Sequence, residues 1–342
     1  MAVLEQLGVV TSRSGVLIFI DTGYLGLWSH YQTPQMPNGS LGDDESVTLA
    51  NSFVDLRIVG RDAERAGRLL ERSWHPLYLY DQPPKNAELE KKLDALVLKH
   101  HLDAHFEINK PRIPHRRRVD LALQYGCGAG EVQFHGIWAV VVSGVPINKT
   151  LRVMGERCQE PNTDRWQRVI VQCRPDQYPS QSLEVGVVAV DYARILIADV
   201  DAIGSWKHEE SLDEMADYLF WGRDADLIAA AVKAPKVGDS EFGWLNVPVD
   251  SALENGVAVQ EYRDKHSLKI ATDYRPHSHH WHAMKAIRNG SPTESSTTEL
   301  DSVKVCNFMT TWGDGLFAIH RDLAENGELV QVRIEMETTS TS

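Results

Sequence analysis

The chain has 342 residues, of which 42% are hydrophobic and 24% charged, a usage that excludes pervasive disorder, a collagen-like repeat and a disulfide-dense scaffold. A formal net charge of -13 argues against nucleic acid or an anionic membrane as the main partner, because both surfaces call for clustered Lys and Arg. No stretch approaches the roughly 18 apolar residues of a membrane span, and Cys127, Cys158, Cys173 and Cys306 form no Cys-x-x-Cys pair, so free thiols in a cytoplasmic protein are expected.

The first clear element is the aliphatic run 16–20, a buried strand ending in Asp21. Apolar residues at 54, 56 and 58 alternate with Asp55 and Arg57, the pattern of a half-buried strand. Gly60-Arg61 then turns the chain into a helix for which Asp62 is the expected cap, and Leu89, Leu93, Leu96 and Val97 form the stripe of a second helix. A basic cluster follows: Lys110, Arg112, His115, Arg116, Arg117 and Arg118. Beyond a Pro- and Ser-containing linker at 174–182, residues 195–198 read as another buried strand, and Asp224 as the cap of a helix over 227–232. Ser211 with Glu214, and Ser251 with Glu254, have capping-box spacing at two expected helix starts. Ser278 reads as an N-cap, with Trp281, Met284 and Ile287 as the buried stripe and Asn289-Gly290 as the stop. At the end, Val330, Val332, Ile334 and Met336 alternate with polar residues, and Asn326-Gly327 turns the chain back toward 316–320, predicting a β-hairpin before a frayed tail at 337–342.

Set against itself, the chain repeats. Residues 8–30 align without a gap on 186–208, a shift of 178, with Gly8, Val9, Val10, Asp21, Gly26, Trp28 and His30 identical to Gly186, Val187, Val188, Asp199, Gly204, Trp206 and His208. Val54-Asp55 to Gly60-Arg61-Asp62-Ala63 aligns with Ala216-Asp217 to Gly222-Arg223-Asp224-Ala225 at a shift of 162, as though a loop at 33–46 had been deleted. A third block sets Gly128-Ala129-Gly130 and His135 against Gly313-Asp314-Gly315 and His320, which puts Cys127 and Ala129 where the second copy has Trp312 and Asp314. The expectation is an α+β protein of two tandem related modules, 1–174 and 183–336, with largely antiparallel sheets and flanking helices. Their charges differ: residues 1–174 carry 21 basic and 20 acidic side chains, whereas 175–342 carry 14 and 28.

Chemistry has few candidates. Asp21 and Asp199, with the Trp-x-His pairs, could be acid and base, yet occurrence in both copies suits a structural duty better. His277, His279, His280 and His282 are the most metal-like group, and His279 with His282 would share a helix face; no carboxylate or Cys at ligand spacing accompanies them, so zinc is the alternative rather than the expectation. The Thr311-Trp312-Gly313-Asp314-Gly315 run is first of all a turn. If a ligand site exists, it is expected where Arg275, His277, Trp312 and Asp314 converge, with Arg as a fork for a carboxylate or phosphate and Trp as an apolar wall.

The same run, with Asp273-Tyr274-Arg275-Pro276-His277 before it and residues 322–334 after it, resembles the bacterial proteins of the "domain of unknown function 4241" type, and 14–21 does so more loosely. The resemblance implies a bacterial, cytoplasmic, β-rich protein and names no reaction. With no nucleophile elbow, cofactor loop or metal set in the chain, the expected function is non-catalytic binding of a protein partner or small anionic ligand, of the immunity type. The alternative is a metal-dependent hydrolase using the histidine cluster.

Overall fold

The computed structural model describes residues 4–32, 56–70, 78–79, 87–108, 114–134, 137–159, 163–288 and 292–336. The expected 33–46 loop, Lys110, Arg112, His135, Asn289-Gly290 and the 337–342 tail lie outside them. Two strands, β1 (Leu4–Thr11) and β2 (Val16–Asp21), lead into a 3-10 turn (Thr22–Leu27). There follow β3 (Leu56–Val59), α1 (Ala63–Leu70), β4 (Tyr78–Leu79), α2 (Ala87–His100), β5 (His105–Ile108) and α3 (His115–Tyr125). Four strands come next: β6 (Ala129–Phe134), β7 (Ile137–Ser143), β8 (Thr150–Arg157) and β9 (Trp166–Gln172).

The same order then runs again. It begins with β10 (Gln181–Val190), β11 (Arg194–Asp199) and a 3-10 turn (Ala202–Ser205), and continues with β12 (Met215–Trp221), α4 (Ala225–Val232), β13 (Glu241–Pro248), α5 (Val249–His266), β14 (Ala271–Pro276) and α6 (His279–Arg288). It closes with β15 (Ser295–Leu300), β16 (Val303–Met309), β17 (Gly315–Leu323) and β18 (Leu329–Glu335). The paired strands of all four sheets run antiparallel, and helices accompany them, so the class is α+β.

By compactness the chain divides into two units, 1–205 with 291–342, and 206–290. This division is not the one expected at 174–182, and the strand orders give the reason. One six-stranded sheet runs β1-β8-β9-β18-β17-β10 and the other β15-β16-β11-β2-β7-β6, so each takes three strands from either half of the chain. At the centre of the second sheet, β2 pairs with β11, with Leu17 opposite Asp199, Phe19 opposite Ile197 and Asp21 opposite Ile195. Under the 178-residue shift this register maps onto itself. In the first sheet β9 meets β18 in the same fashion, Val169 opposite Ile334 and Val171 opposite Val332.

One core fills the space between these sheets: Leu17 and Phe19 of β2, Ile195 and Ile197 of β11, Phe308, Phe317 and Trp166 are all fully buried in it. Ile18 and Ile20, on the opposite face of β2, are buried as well, which is why the strand reads as an unbroken apolar run. The terminal hairpin forms as expected, β17 on β18 with Gly327 in the turn at φ +81°, but β18 lies inside the sheet because β9 covers its other edge.

The smaller sheets are β4-β3-β5, in the first unit, and β13-β12-β14, in unit 206–290. In the latter, Tyr218 and Phe220 of the central strand pack with Ile228 of α4 and with Ala252 and Val259 of α5. Gly60 and Gly222 precede helices at φ +121° and +125°. The Asp after the Arg in each motif does not cap the helix as expected. The Asp62 carboxylate accepts the Asp103 amide at 2.9 Å, and Asp224 accepts the Lys269 amide at 2.7 Å, so both fasten the chain ahead of the next strand. Both capping boxes also fail. Ser211 lies in a turn before β12, and Ser251 lies inside α5, which starts at Val249 directly after Pro248.

Candidate functional site

The recurring aspartates are turn clamps that work across the halves. Asp21 Oδ2 accepts the amides of Asp191 and Tyr192, in the turn between β10 and β11, while Oδ1 accepts from Gly23. Asp199 Oδ2 accepts the amides of Arg13 and Ser14 and the hydroxyls of Ser12 and Ser14, in the turn between β1 and β2. Each carboxylate therefore holds the other half's hairpin turn. Burial lifts the Asp21 carboxyl to about 6 against the pull of its backbone donors. Burial also opposes ionisation of Asp199, but the Ser14 amide, the Ser12 and Ser14 hydroxyls and the Asp201 amide together outweigh it and hold that carboxyl below its ordinary value.

The Trp-x-His pairs are structural in the same repeated manner. Trp28 Nε1 donates to His30 Nδ1 at 3.3 Å, and Trp206 Nε1 donates to His208 Nδ1 at 3.1 Å. His115 and His279, each the first residue of its helix, accept the amides of Ser29 and Lys207 at their Nδ1 atoms and lie against Trp28 and Trp206.

A further constellation surrounds His277. It forms in unit 206–290 where a β-bulge breaks the pairing of β12 with β13: Ala216 opposes Val247 and Tyr218 opposes Trp244, leaving two β13 residues against Asp217. The bulge puts Asn246 at φ +54° and frees its amide to donate to Asp217 Oδ1 at 2.7 Å. His277 follows the end of β14 and is almost wholly buried, its Nδ1 3.1 Å from Asp213 Oδ2 and its Nε2 3.2 Å from Asp217 Oδ1. Both ring nitrogens thus face a carboxylate oxygen, and both can donate when the ring carries two protons.

Ser278 caps α6 as expected, its hydroxyl accepting the Trp281 amide. The cap sets the helix so that Trp281 stacks on His277 at 3.8 Å between centroids, with its indole N–H on Asp217 Oδ2 at 3.0 Å. Trp281 therefore leaves the buried stripe, which consists of Ala283, Met284 and Ile287.

Over this network opens a pocket of about 350 Å³, lined by Asp213, Asn246, His277, Trp281, His282, Lys285 and Ala286. Lys285 Nζ lies 4.2 Å from the Trp281 ring centroid. Burial, with the charges of His277 and Lys285, lowers the His282 pKa against an opposing pull from Asp213. Burial disfavours the charged form of Asp213 too, but hydrogen bonds from His277, the Met215 amide and Ser211 prevail and hold it below the ordinary carboxylate range.

Of the four residues expected to converge, His277 alone lines this pocket. Arg275 is paired with Asp273 on its own strand at 2.6 Å. Trp312 and Asp314 belong to the other unit, where the Trp312 indole donates to the Trp166 carbonyl and Asp314 accepts the Ala193 amide, so both serve the turn before β17. The third repeat block is also corrected. Gly313 to Gly315 lead into β17, which by element order matches β8, whereas residues 128–130 lead into β6, the counterpart of β15.

His279 spends one nitrogen on Lys207, and among the described residues no group of three or more His, Cys, Asp or Glu is placed to hold a metal ion. In the basic cluster, Arg116 bridges Asp120 and Asp201, and Arg118 donates to the Gln133 carbonyl. Neither Asp213 nor Asp217 stood out in the sequence as a site residue, Asp217 being read only as part of the repeat at 216–225. Their signal was an Asp within the apolar stretch 215–221 and another four residues before it, where a capping box was read instead. No helix among the described residues is long and apolar enough to cross a membrane. No family model, no curated protein and no solved structure matches the chain.

Proposed function

We propose that the protein is a non-catalytic binding protein of the immunity type, two copies of one α+β module in a single cytoplasmic chain, and that the pocket over His277 is where its ligand seats. The observation that carries this reading is the engagement of His277, whose two ring nitrogens are both taken by carboxylates and leave no free base to accept a proton from a substrate. The acid–base candidates that recur in both halves are committed as well, Asp21 and Asp199 to hairpin turns and His30 and His208 to tryptophan N–H groups. Two-copy architecture is supported by the recurring element order and by a β2–β11 register that is its own image under the repeat. Free thiols at all four cysteines suit a reducing compartment.

Inside the pocket, Lys285, Asn246 and His282 offer hydrogen-bond donors and Trp281 an apolar edge, a mixture suited to a small charged molecule or the exposed side chain of a partner. A thermal-shift and NMR screen of a metabolite library against the full chain tests the reading. The expected result is a compound that stabilises the protein, is recovered unchanged, and loses its effect in Lys285→Ala. Conversion of a bound compound that disappears in His277→Asn would overturn it in favour of an enzyme.

A further inference from the structure

We infer that the pocket over His277 takes a zwitterion of the amino-acid type, its carboxylate on Lys285 and His282 and its ammonium on Asp213, an inference that rests on the binding reading above. The argument is the distribution of charge. Among the described residues Lys285 makes no ion pair, and its Nζ lies 4.2 Å from the centroid of the indole that stacks on His277. Asp213, on the opposing turn, has a side chain 46% exposed. Its oxygens receive three hydrogen bonds, from the Met215 amide at 3.0 Å, Ser211 Oγ at 3.1 Å and His277 at 3.1 Å. A carboxylate has about four acceptor sites, so one remains for a donor from the pocket.

Lys285 and Asp213 line one cavity yet do not neutralise each other. A purely anionic ligand would meet Asp213, with Asp217 behind it, and a purely cationic one would meet Lys285; a molecule carrying both charges satisfies both ends. The ring of His282 lies edge-on to Trp281 at 4.8 Å and makes no hydrogen bond to the described residues, so its N–H is free to donate to the same carboxylate as Lys285. A volume of about 350 Å³ admits a free amino acid or a dipeptide.

The test is isothermal titration calorimetry of the full chain with each of the common amino acids, followed by the N-acetyl and carboxamide derivatives of whichever binds. The expected result is binding of at least one amino acid, with both derivatives at least tenfold weaker. Lys285→Ala should weaken the parent and the N-acetyl derivative at least tenfold while sparing the carboxamide, and Asp213→Asn should weaken the parent and the carboxamide while sparing the N-acetyl derivative. Equal binding of parent and either derivative overturns the zwitterion assignment, as does failure of every amino acid to bind. In that last case a different compound from the library, bound unchanged and sensitive to Lys285→Ala, leaves the binding reading standing.

Discussion

Asp21 Oδ2 accepts the backbone N–H of Asp191 at 2.6 Å, across 170 residues of chain, and is the mirror of the bond from the Arg13 amide to Asp199. The two carboxylates have one job in two environments, because Ser12 and Ser14 add hydroxyls to Asp199 where the corresponding residues, Val190 and Tyr192, add none. Their pH dependences should therefore have opposite signs. A folded-state carboxyl lifted to about 6 at Asp21 stabilises most at low pH and loses that contribution as pH rises through 6. The margin of the wild type over Asp21→Asn should widen by up to about 3 kcal/mol between pH 7.5 and 4. For Asp199, held below its ordinary value, the margin over Asp199→Asn should stay level from pH 8 to 5 and shrink as pH falls below about 4. Urea unfolding of both variants across that range is the measurement.

Two amides and two hydroxyls converge on Asp199 Oδ2 at 2.7–2.8 Å, an anion nest filled by the protein's own carboxylate. Asp199→Gly should empty it and lower the melting temperature. Addition of about 50 mM formate should restore part of the loss, an effect chloride at the same ionic strength should not reproduce. Absence of rescue would mean that the turn collapses once the clamp is gone.

Gly60 and Gly222 share a positive φ but not a neighbourhood. A Cβ at Gly60 would lie 2.4 Å from the Asp103 carbonyl oxygen, whereas one at Gly222 meets Ile270 Cα at 3.1 Å. Gly60→Ala should cost about 3 kcal/mol and Gly222→Ala about half of that, since only the former adds a backbone collision to the strain in φ. Chemical denaturation of the two variants side by side gives the comparison.

His277→Asn should remove donors from two carboxylates at once. Asp217, nearly buried, keeps the Asn246 amide and the Trp281 indole, so the expected cost is about 3 kcal/mol rather than loss of the fold. Hydrogen exchange should show the loss at the β12 amides first, with the six-stranded sheets unaffected.

Thiol reactivity should follow exposure. Cys127 is exposed and should be modified rapidly by a chromogenic disulfide in the native protein, Cys158 more slowly. Burial pushes Cys173 and Cys306 up to about 12, and both should react only after unfolding.

The apolar runs at 16–20 and 195–198, the closing hairpin and the Ser278 cap were legible because each rests on local periodicity or a local capping signal. What escaped was decided at long range. Nothing local distinguishes an Asp that caps its own helix from one that fastens a chain segment 41 residues away, as Asp62 does. Ser211 spaced from Glu214 looks like a cap until Asp213 captures its hydroxyl and the Met215 amide for a turn. At the candidate site, His277 was visible as part of a histidine-rich run. Its carboxylate partners were not, because they lie 60 and 64 residues earlier and a bulge in a third strand completes their arrangement.

The mid-sheet pairing of β2 with β11 has a consequence for how the chain is made. When the first half has left the ribosome, β2 already carries Leu17, Ile18, Phe19 and Ile20, all destined for full burial, while one of its edges has no strand to meet until residues 194–199 emerge. At about 5–20 residues per second, that edge stays open for many seconds. An apolar strand with an open edge invites pairing with another nascent copy, and here the invading strand would be an equivalent β2, whose aliphatic run is of the same kind as that of its native partner β11. Intermolecular β2–β2 association is therefore the form in which misfolding of this chain should first be detected.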